Sequence, residues 1–371
     1  MKEINIAKSI ITKRKEKGIT QDDLAVYIGV SKASVSKWET GQSYPDITFL
    51  PQLAAYFNIS IDELIGYSPQ MTKEDVKKLY HRLSSEFSSK PFDEVLAECR
   101  AIIKKYFSCF PLLLQMVILL VNHHMLAKEK ETQEKLLQEI IGLCVRIKSE
   151  SDDVWLSKQA NSMEALCYMI LQQPQEVLDL LDGTMKPIPS DETILANAYY
   201  MTGNMQKAKA VLQISIYQHL LNILGDCPTY LLLHVGEVEK FEEILKRILC
   251  ISDVFAVDTL NPNVAVQLYL AAAQGYTKHG NIEKALNMLS KYADICTSNF
   301  FPITLHGDAF FDCIDEWFNE FDLGTKPPRD EKLVKESMIQ AIISNPAFLT
   351  LSEQPKYKSI IETMKLKLGG N

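Results

Sequence analysis

A pattern of four residues, Ala, Tyr, Gly and Ala, recurs at the same spacing in two distant stretches of the chain, and no other feature limits the possible fold as strongly. The landmarks are Ala196, Tyr199, Gly203 and Ala208 in the first stretch, and Ala273, Tyr276, Gly280 and Ala285 in the second. Alanine lets two helices approach closely, tyrosine fills the groove between them, and glycine permits the tight turn that joins them. Such a hairpin cannot bury its own apolar face, so it must stack on a neighbour. The pattern therefore predicts an all-α chain of stacked helical pairs.

Weaker copies of the pattern occur before and between these two stretches. They contain Gly236 and Phe241 in one case, and Ala165, Tyr168, Gln172 and Val177 in the other. The four turn positions, 172, 203, 236 and 280, are 31, 33 and 44 residues apart. This period resembles that of tetratricopeptide repeats, which implies an α-solenoid over about 150–300 with divergent helical pairs on both sides. An irregular helical bundle is the alternative fold.

The composition is that of a globular protein. Of 371 residues, 47% are hydrophobic, and the net charge of −8 disfavours nucleic-acid binding by the whole surface but not by a local basic face. The eight cysteines include no CxxC pair, so they indicate neither a zinc ribbon nor a thioredoxin motif, and they fit small buried apolar residues in a reducing cytoplasm. We expect no signal peptide, no cofactor and no membrane partner. The most apolar run, residues 110–121, is too short to span a membrane and predicts a core helix.

Glycine, proline and serine divide the chain into two units. Residues 1–66 predict a compact group of short helices. Residues 67–75 predict a linker, within which Thr72 caps the next helix. Residues 76–371 predict a helical repeat domain for ligand sensing, dimerisation or both.

The stretch TQDDLAVYIGVSKASVSKWETG, residues 20–41, predicts two short helices joined by a tight turn. Thr20 is expected to begin the first helix as its N-cap, and Gly29 to end it. Ser31 is expected to cap the second helix, whose apolar positions are Val35 and Trp38. This arrangement is a helix-turn-helix.

The second helix is expected to present small polar and basic side chains to solvent. They are Lys32, Ala33, Ser34, Ser36 and Lys37. Lysine suits phosphate or guanine, serine suits several bases, and alanine suits the methyl group of thymine. Such a helix fits the major groove of DNA.

These residues resemble the XRE type of lambda-repressor-like helix-turn-helix domains over residues 5–66. The matching marks are Gln21, Leu24, Ala25, Gly29, Val30, Ser31, Val35, Ser36, Trp38, Glu39 and Gly41, with Pro45 before a fourth helix. The resemblance implies five helices, of which the third enters the major groove. It places candidate DNA contacts at Gln21, Ser31, Lys32, Ala33, Ser34, Ser36, Lys37 and Thr40.

Some marks of this family predict structure rather than DNA contact. Trp38 is expected to pack in the core, and Arg14 and Glu39 occupy positions that are often paired in the family. Residues 1–40 carry eight basic and five acidic side chains, so a single domain is expected to bind DNA weakly. A homodimer that reads two half-sites about one helical turn apart would supply the missing affinity.

A DNA-binding domain followed by tetratricopeptide-like repeats resembles the RRNPP regulators of Gram-positive bacteria, which sense peptide pheromones in quorum sensing. The resemblance implies a groove for a short extended peptide. Such a groove needs amide side chains for the peptide backbone and aromatic rings for its side chains. Candidates on the first helices of the hairpins are Asn161, Asn197, Tyr200, Tyr230, His234, Asn263, Gln267 and Tyr269. The alternative is that they are exposed polar residues or helix caps, as Asn263 after Pro262 would be.

Enzyme motifs are missing from the sequence, which has no glycine-rich phosphate loop, no HExxH and no GxSxG. The adjacent His123 and His124 would point about 100° apart on a helix and would serve one metal poorly. We therefore predict a ligand-regulated transcriptional regulator that is not an enzyme. One alternative keeps the DNA-binding regulator but makes the repeats only a dimerisation and docking scaffold. Another alternative is an antitoxin or phage-defence component, in which the DNA-binding domain only directs the complex to its target.

Overall fold

The computed structural model describes residues 6–67, 70–183, 191–298 and 300–369. Within these ranges the chain is helical and has no β-strand. The first helices are α1 (Ile6–Glu16), α2 (Gln21–Ile28), α3 (Lys32–Glu39), α4 (Leu50–Phe57) and α5 (Ile61–Ile65). One core of buried apolar side chains holds them together. The predicted five-helix N-terminal domain is confirmed.

Short-range capping groups set the ends of α2 and α3. Thr20 Oγ1 accepts a hydrogen bond from Asp23 N at 3.2 Å, and Asp23 Oδ2 accepts one from Thr20 N at 2.8 Å. This reciprocal pair is a capping box. Gly29 ends α2 in the left-handed conformation, with a φ of 81°. Ser31 Oγ accepts from Ser34 N at 3.1 Å and so begins α3, which confirms the predicted helix-turn-helix.

Six helices follow the N-terminal domain: α6 (Lys73–Phe87), α7 (Phe92–Lys105), α8 (Phe110–His123), α9 (Lys130–Glu150), α10 (Val154–Ile170) and α11 (Pro174–Leu181). Thr72 caps α6 as predicted, because its hydroxyl oxygen accepts from Asp75 N at 3.2 Å. The apolar run 110–121 lies in α8, whose side chains are mostly buried, and is the predicted core helix. Helices α6 to α10 enclose a first repeat core. No helix in the described ranges is both long enough and apolar enough to cross a membrane.

The remaining helices are α12 (Asp191–Met201), α13 (Met205–Leu233), α14 (Val238–Val254), α15 (Val257–Leu260), α16 (Pro262–Lys278), α17 (Ile282–Thr297), α18 (Asp315–Asn319), α19 (Glu331–Ile343) and α20 (Pro355–Leu368). A second repeat core extends from α13 to α20. Between the two cores, α11 has no buried side chain and α12 buries only Ala196. These two helices therefore contribute little apolar contact between the cores.

Each of the four predicted turn positions lies between two helices. They are Gln172 (between α10 and α11), Gly203 (α12 and α13), Gly236 (α13 and α14) and Gly280 (α16 and α17). Gly203 and Gly280 have φ values of 81° and 71°, which glycine adopts without steric cost. Helices α14 and α16 approach so closely that a Cβ at Gly275 would lie 2.2 Å from Phe241 Cε2. The predicted series of helical pairs is present.

Helix α13 differs from the simple repeat pattern because it serves two hairpins. It is a continuous helix of 29 residues that contains Pro228 and packs against both α12 and α14. Tyr217, Leu224 and Leu231 recur every seven residues and are all buried in the second core. Their burial on one face favours an unbroken helix over a turn.

A segment between α17 and α19, residues 301–330, forms what we call the strap. Its regular structure is limited to the short helix α18. The strap contacts α13 near its start and α6 and α8 near its end, and we call the surface that it covers the inner face. His81 Nε2 lies 2.9 Å from Leu323 O, although the two residues are 242 positions apart in the chain. The strap therefore contacts both repeat cores.

Candidate nucleic-acid interface and inner face

Helix α3 is fixed to the N-terminal domain by its apolar side. Val35 is fully buried, and Trp38 is 5% exposed and lies with its ring centroid 6.0 Å from that of Phe49. Trp38 thus packs in the core as predicted. The helix is rigidly supported, and its opposite side remains accessible to a partner.

The opposite side of α3 carries most of the predicted DNA-contacting residues. Lys32, Ala33 and Lys37 are exposed, whereas Ser34 and Ser36 are half-buried. Ser31 is exposed, but its hydroxyl caps α3 and lies 2.9 Å from that of Ser34. The lysines and Ala33 are thus the residues most open to a DNA partner.

The two lysines of α3 differ in their surroundings. Lys32 Nζ forms an exposed ion pair with Asp22 Oδ2 at 2.6 Å. The side chain of Lys37 forms no ion pair or hydrogen bond with the described residues. Because exposed ion pairs are weak, a phosphate or base could replace Asp22 at little cost. Lys37 can bind an anion without breaking any contact.

An ion pair between half-buried Arg14 and buried Glu39 ties α1 to α3. Arg14 Nε donates to Glu39 Oε1 at 2.5 Å, and Gln21 Nε2 donates to Glu39 Oε2 at 2.8 Å. Burial raises the pKa of Glu39, but the hydrogen bonds from Arg14 and Gln21 outweigh it and hold the pKa below its ordinary value. The predicted pairing of Arg14 with Glu39 is confirmed. The Gln21 side chain is used within the domain, while its backbone N–H, in the first turn of α2, suits a phosphate.

Thr40 ends α3 and has little freedom to contact a base. Its hydroxyl donates to Ser36 O at 2.9 Å and lies 3.2 Å from Lys37 O. A hydroxyl held in this way can still accept a hydrogen bond. Its position after α3 suits the edge of an interface.

The predicted ligand-binding residues lie on α10, α12 and α16 and at the end of α13. Asn197 and Tyr200 are exposed on α12, and Asn263 and Gln267 are exposed on α16. Asn261 caps α16, since its Oδ1 accepts from Val264 N at 3.4 Å. Asn263 is therefore not the cap.

Three other candidates already have partners within the protein. Asn161 Oδ1 accepts from Lys148 Nζ at 3.0 Å. His234 Nδ1 lies 2.9 Å from Glu237 Oε1, and its ring meets that of Tyr230 edge-on. These contacts stabilise a turn and a pair of helices.

Tyr269 corrects the sequence prediction, because it faces the core rather than a groove. Its side chain is 1% exposed, with its hydroxyl 3.5 Å from Asp258 Oδ1. Gln267, two residues earlier, is exposed. Residues two positions apart on a helix are separated by about 200° around its axis, so these two side chains lie on opposite sides of α16.

The structure reveals a cleft on the inner face that the sequence did not predict. It has a volume of about 440 Å³ and lies between α13 and the strap. Its lining combines aromatic rings with amide and other polar groups: Glu192, Tyr217, Gln218, His219, Leu221, Asn222, Asn261, Leu305, Trp317, Phe318 and Phe321. The aromatic stretch FFDCIDEWFNEF, residues 310–321, is the sequence signal that could have indicated it.

Comparisons with known proteins agree with the geometry of the N-terminal domain. Residues 10–64 match a family model described as helix-turn-helix. A curated relative, the HTH-type transcriptional activator BcrR of Enterococcus faecalis, is 34% identical over 74 residues, which are 18% of this chain and 36% of that protein. The chain thus spans about a third of that relative's length. Neither comparison points to an enzyme, and the N-terminal domain is a helix-turn-helix domain of the XRE type.

Two solved structures also resemble the chain over most of its length. Bacillus thuringiensis PlcR, solved with the peptide PapR7 and DNA, is 17% identical, and the match covers 79% of this chain and 95% of PlcR with a TM-score of 0.29. The apo competence regulator ComR of Streptococcus vestibularis is 13% identical, with 83% and 95% covered and a TM-score of 0.24. Such TM-scores give no residue-level correspondence, so the function below rests on this chain's own residues.

Proposed function

We propose that this chain is a sequence-specific DNA-binding transcriptional regulator that inserts α3 into the major groove. One observation carries the proposal: Lys32, Ala33 and Lys37 project from a helix that Val35 and Trp38 fix to the domain. Basic and small side chains on a rigid helix are what base readout requires. The regulatory role is supported by the 34% identical relative, a transcriptional activator. The cytoplasmic location expected from the sequence belongs to this proposal.

The proposed active form is a homodimer. With a net charge of −8, the whole chain is not attracted to DNA, and one small basic face gives few phosphate contacts. Two faces on one dimer would bind two half-sites together and raise the affinity. The repeats also expose large apolar side chains, such as Met201 at 85% and Leu233 at 75%, which supports self-association.

The proposed signal is a short peptide that binds the inner face. The cleft beside the strap supports this part of the proposal, because it combines aromatic rings with the amides of Gln218, Asn222 and Asn261. Amide groups suit a peptide backbone, and aromatic rings suit apolar side chains. The exposed apolar residues of α12 and α13 favour a second candidate, in which the repeats only dock protein partners.

DNA recognition is tested by selecting sites from random duplexes with the full-length protein. We expect two half-sites about one helical turn apart. The double variant Lys32→Ala/Lys37→Ala should lose about 100-fold or more in affinity for the selected site, because base contacts contribute about 1–3 kcal/mol each. The control Lys130→Ala/Lys135→Ala removes the same charge from exposed positions on α9 and should bind like the wild type.

The outcomes separate the candidates. Equal affinity of the α3 double variant and the wild type would refute the recognition helix. A single half-site would refute the dimer. Enrichment of no sequence at all would refute the regulator and leave the docking protein as the better candidate.

A further inference from the structure

A turn in the strap, just before α18, is bound to the inner face by amide side chains. Gln213 of α13 contacts it twice: Gln213 Oε1 accepts from Cys313 N at 2.8 Å, and Gln213 Nε2 donates to Asp312 Oδ1 at 2.6 Å. Gln206, two turns earlier on α13, places its Nε2 3.3 Å from Cys313 Sγ. An amide side chain that bonds both a backbone N–H and a neighbouring carboxylate can recognise another segment that presents the same two groups.

Aromatic side chains of the strap fill the apolar part of the same surface. Phe311 and Phe318 are 0% and 1% exposed, and each ring centroid lies 5.4 Å from that of Tyr217 on α13. Trp317 and Phe321 are half-buried and line the 440 Å³ cleft. The cleft therefore offers an incoming aromatic side chain a first binding position beside rings that are already bound.

The end of the strap is held by polar groups of the first repeat core. Asp322 Oδ1 lies 3.2 Å from Lys73 Nζ, and Asp322 Oδ2 accepts from Gln115 Nε2 at 3.1 Å. His81 Nε2 lies 2.9 Å from the carbonyl oxygen of Leu323. Lys73 is the first residue of α6, which is the first helix after the N-terminal domain. Asp322 in the strap thus contacts the first helix of the repeats at its N-terminal end.

The chemistry of the strap is strongly biased. Its first 25 residues, 301–325, contain six carboxylates and six Phe or Trp rings, and its two basic residues, Lys326 and Arg329, lie in the last five. The carboxylates belong to Asp308, Asp312, Asp315, Glu316, Glu320 and Asp322. Two of these carboxylates, Asp312 and Asp322, bond the inner face through Gln213, Gln115 and Lys73, and both lie close to aromatic rings of the strap.

We propose that the strap is an internal ligand of the inner face, and that the external signal is a short acidic, aromatic peptide that competes with it. This inference rests on the proposed peptide-sensing function and names the chemical class of the signal and its competitor. A signal peptide would enter beside Trp317, replace the strap on Gln213, and release Asp322 from Lys73 and Gln115. Release would loosen the strap's link between the two repeat cores next to the N-terminal domain.

An internal segment that occupies a site lowers the apparent affinity for an external peptide, because only the fraction of molecules with a vacant site can bind the peptide. Weakening the strap at a contact that the incoming peptide can remake should therefore strengthen peptide binding. Asp322 offers such a contact, since a peptide with the strap sequence carries its own copy of this carboxylate. Glu316 offers the matched control: it is exposed and forms no hydrogen bond or ion pair with the residues that the structure describes.

The test is calorimetric titration of full-length protein with a synthetic peptide of residues 305–323, against a scrambled peptide of the same composition. Asp322→Asn should bind the strap peptide about tenfold more tightly than the wild type, since the weakened strap occupies the site less. Glu316→Gln removes the same charge and should bind like the wild type. Adding Gln213→Ala to Asp322→Asn should reverse the tenfold gain, because Gln213 is part of the site itself.

Equal binding of the strap peptide by wild type and Asp322→Asn would overturn the inference, as would equal binding of the scrambled peptide or no binding at all. Hydrogen exchange checks the strap without a peptide: amides of α6 should exchange faster in Asp322→Asn than in Glu316→Gln. Equal exchange would also count against it. These readouts do not involve DNA. A protein that binds the strap peptide but selects no DNA site would refute the regulator and leave the strap inference standing.

Discussion

The N-terminal domain and the strap of the repeat domain make their stabilising contacts over very different distances along the chain. In the N-terminal domain the side-chain contact that ties α1 to α3 joins residues 25 positions apart. In the repeats, the contact between Ser84 Oγ and Pro328 O joins residues 244 positions apart. A domain with short-range contacts can form early and alone, whereas the strap can bind only after both repeat cores exist. The difference suits a rigid DNA-reading part and a repeat part that can change shape.

The largest expected effect is on the N-terminal domain. Arg14→Ala leaves Glu39 buried without its ionic partner, so we expect a loss of about 3–5 kcal/mol in the free energy of unfolding of this domain. Native-state hydrogen exchange of residues 6–66 measures it, with exchange in the repeats unchanged. Lys13→Ala is the control, because Lys13 forms only partly exposed ion pairs, with Glu16 and Glu63. Equal effects of the two variants would mean that the Arg14–Glu39 pair does not organise the domain.

Acid should weaken the repeats at a higher pH than the N-terminal domain. Burial lowers the pKa of His123 to about 4, with a smaller contribution from nearby Arg329 and against the opposing effects of the hydrogen bond to Leu119 and of Asp330. Unfolded His123 binds a proton below about pH 6.5, while the folded residue resists until about pH 4. The unfolded state therefore binds more protons in this window, and stability falls as the pH drops through it, by roughly 3 kcal/mol in total.

The N-terminal domain contains no histidine, and Glu39 has a lowered pKa. A lowered carboxylate pKa gives stability that is lost only below about pH 4.3. We expect denaturant unfolding at pH 7, 6, 5 and 4.5, monitored by hydrogen exchange in each region, to show a loss of stability in the repeats alone. His123→Gln should flatten that loss, and exposed His219→Gln should not. A parallel decline in both regions would contradict the assignment to His123.

The smallest expected effects come from matched helix caps in the two regions. Thr20→Ala and Thr72→Ala each remove a side-chain cap and should cost about 1 kcal/mol. Faster exchange after Thr20→Ala should remain within residues 6–66. Thr72→Ala should also speed exchange in the strap, because Lys73 at the start of α6 contacts Asp322. An unchanged strap would show that its end is not coupled to α6.

Sequence reasoning succeeded where the determining residues are close together. The caps at Thr20, Ser31 and Thr72 and the turns at Gly203 and Gly280 follow from local backbone requirements. The exposed side of α3, which we propose contacts DNA, follows from the same local pattern, because Val35 and Trp38 define the buried side.

Sequence reasoning failed where distant segments decide the outcome. The helical pattern placed Tyr269 on a groove, but α16 turns this residue toward the second core. The strap has no helical period, and its partners on α6 lie more than 240 positions away, so no local pattern could place it. Gln213 and the aromatic cleft were missed for the same reason, because the strap supplies the contacts of Gln213 and one wall of the cleft.

Hydrogen exchange of the full-length protein with and without its selected operator duplex tests DNA recognition most directly. We predict that DNA slows exchange in Lys32–Glu39 and at the start of α2, where the exposed lysines and the backbone N–H of Gln21 are proposed to meet the duplex. A matched duplex with both half-sites scrambled should give little protection. Unchanged exchange in α3, with protection on another surface, would contradict the assignment of α3 as the recognition helix.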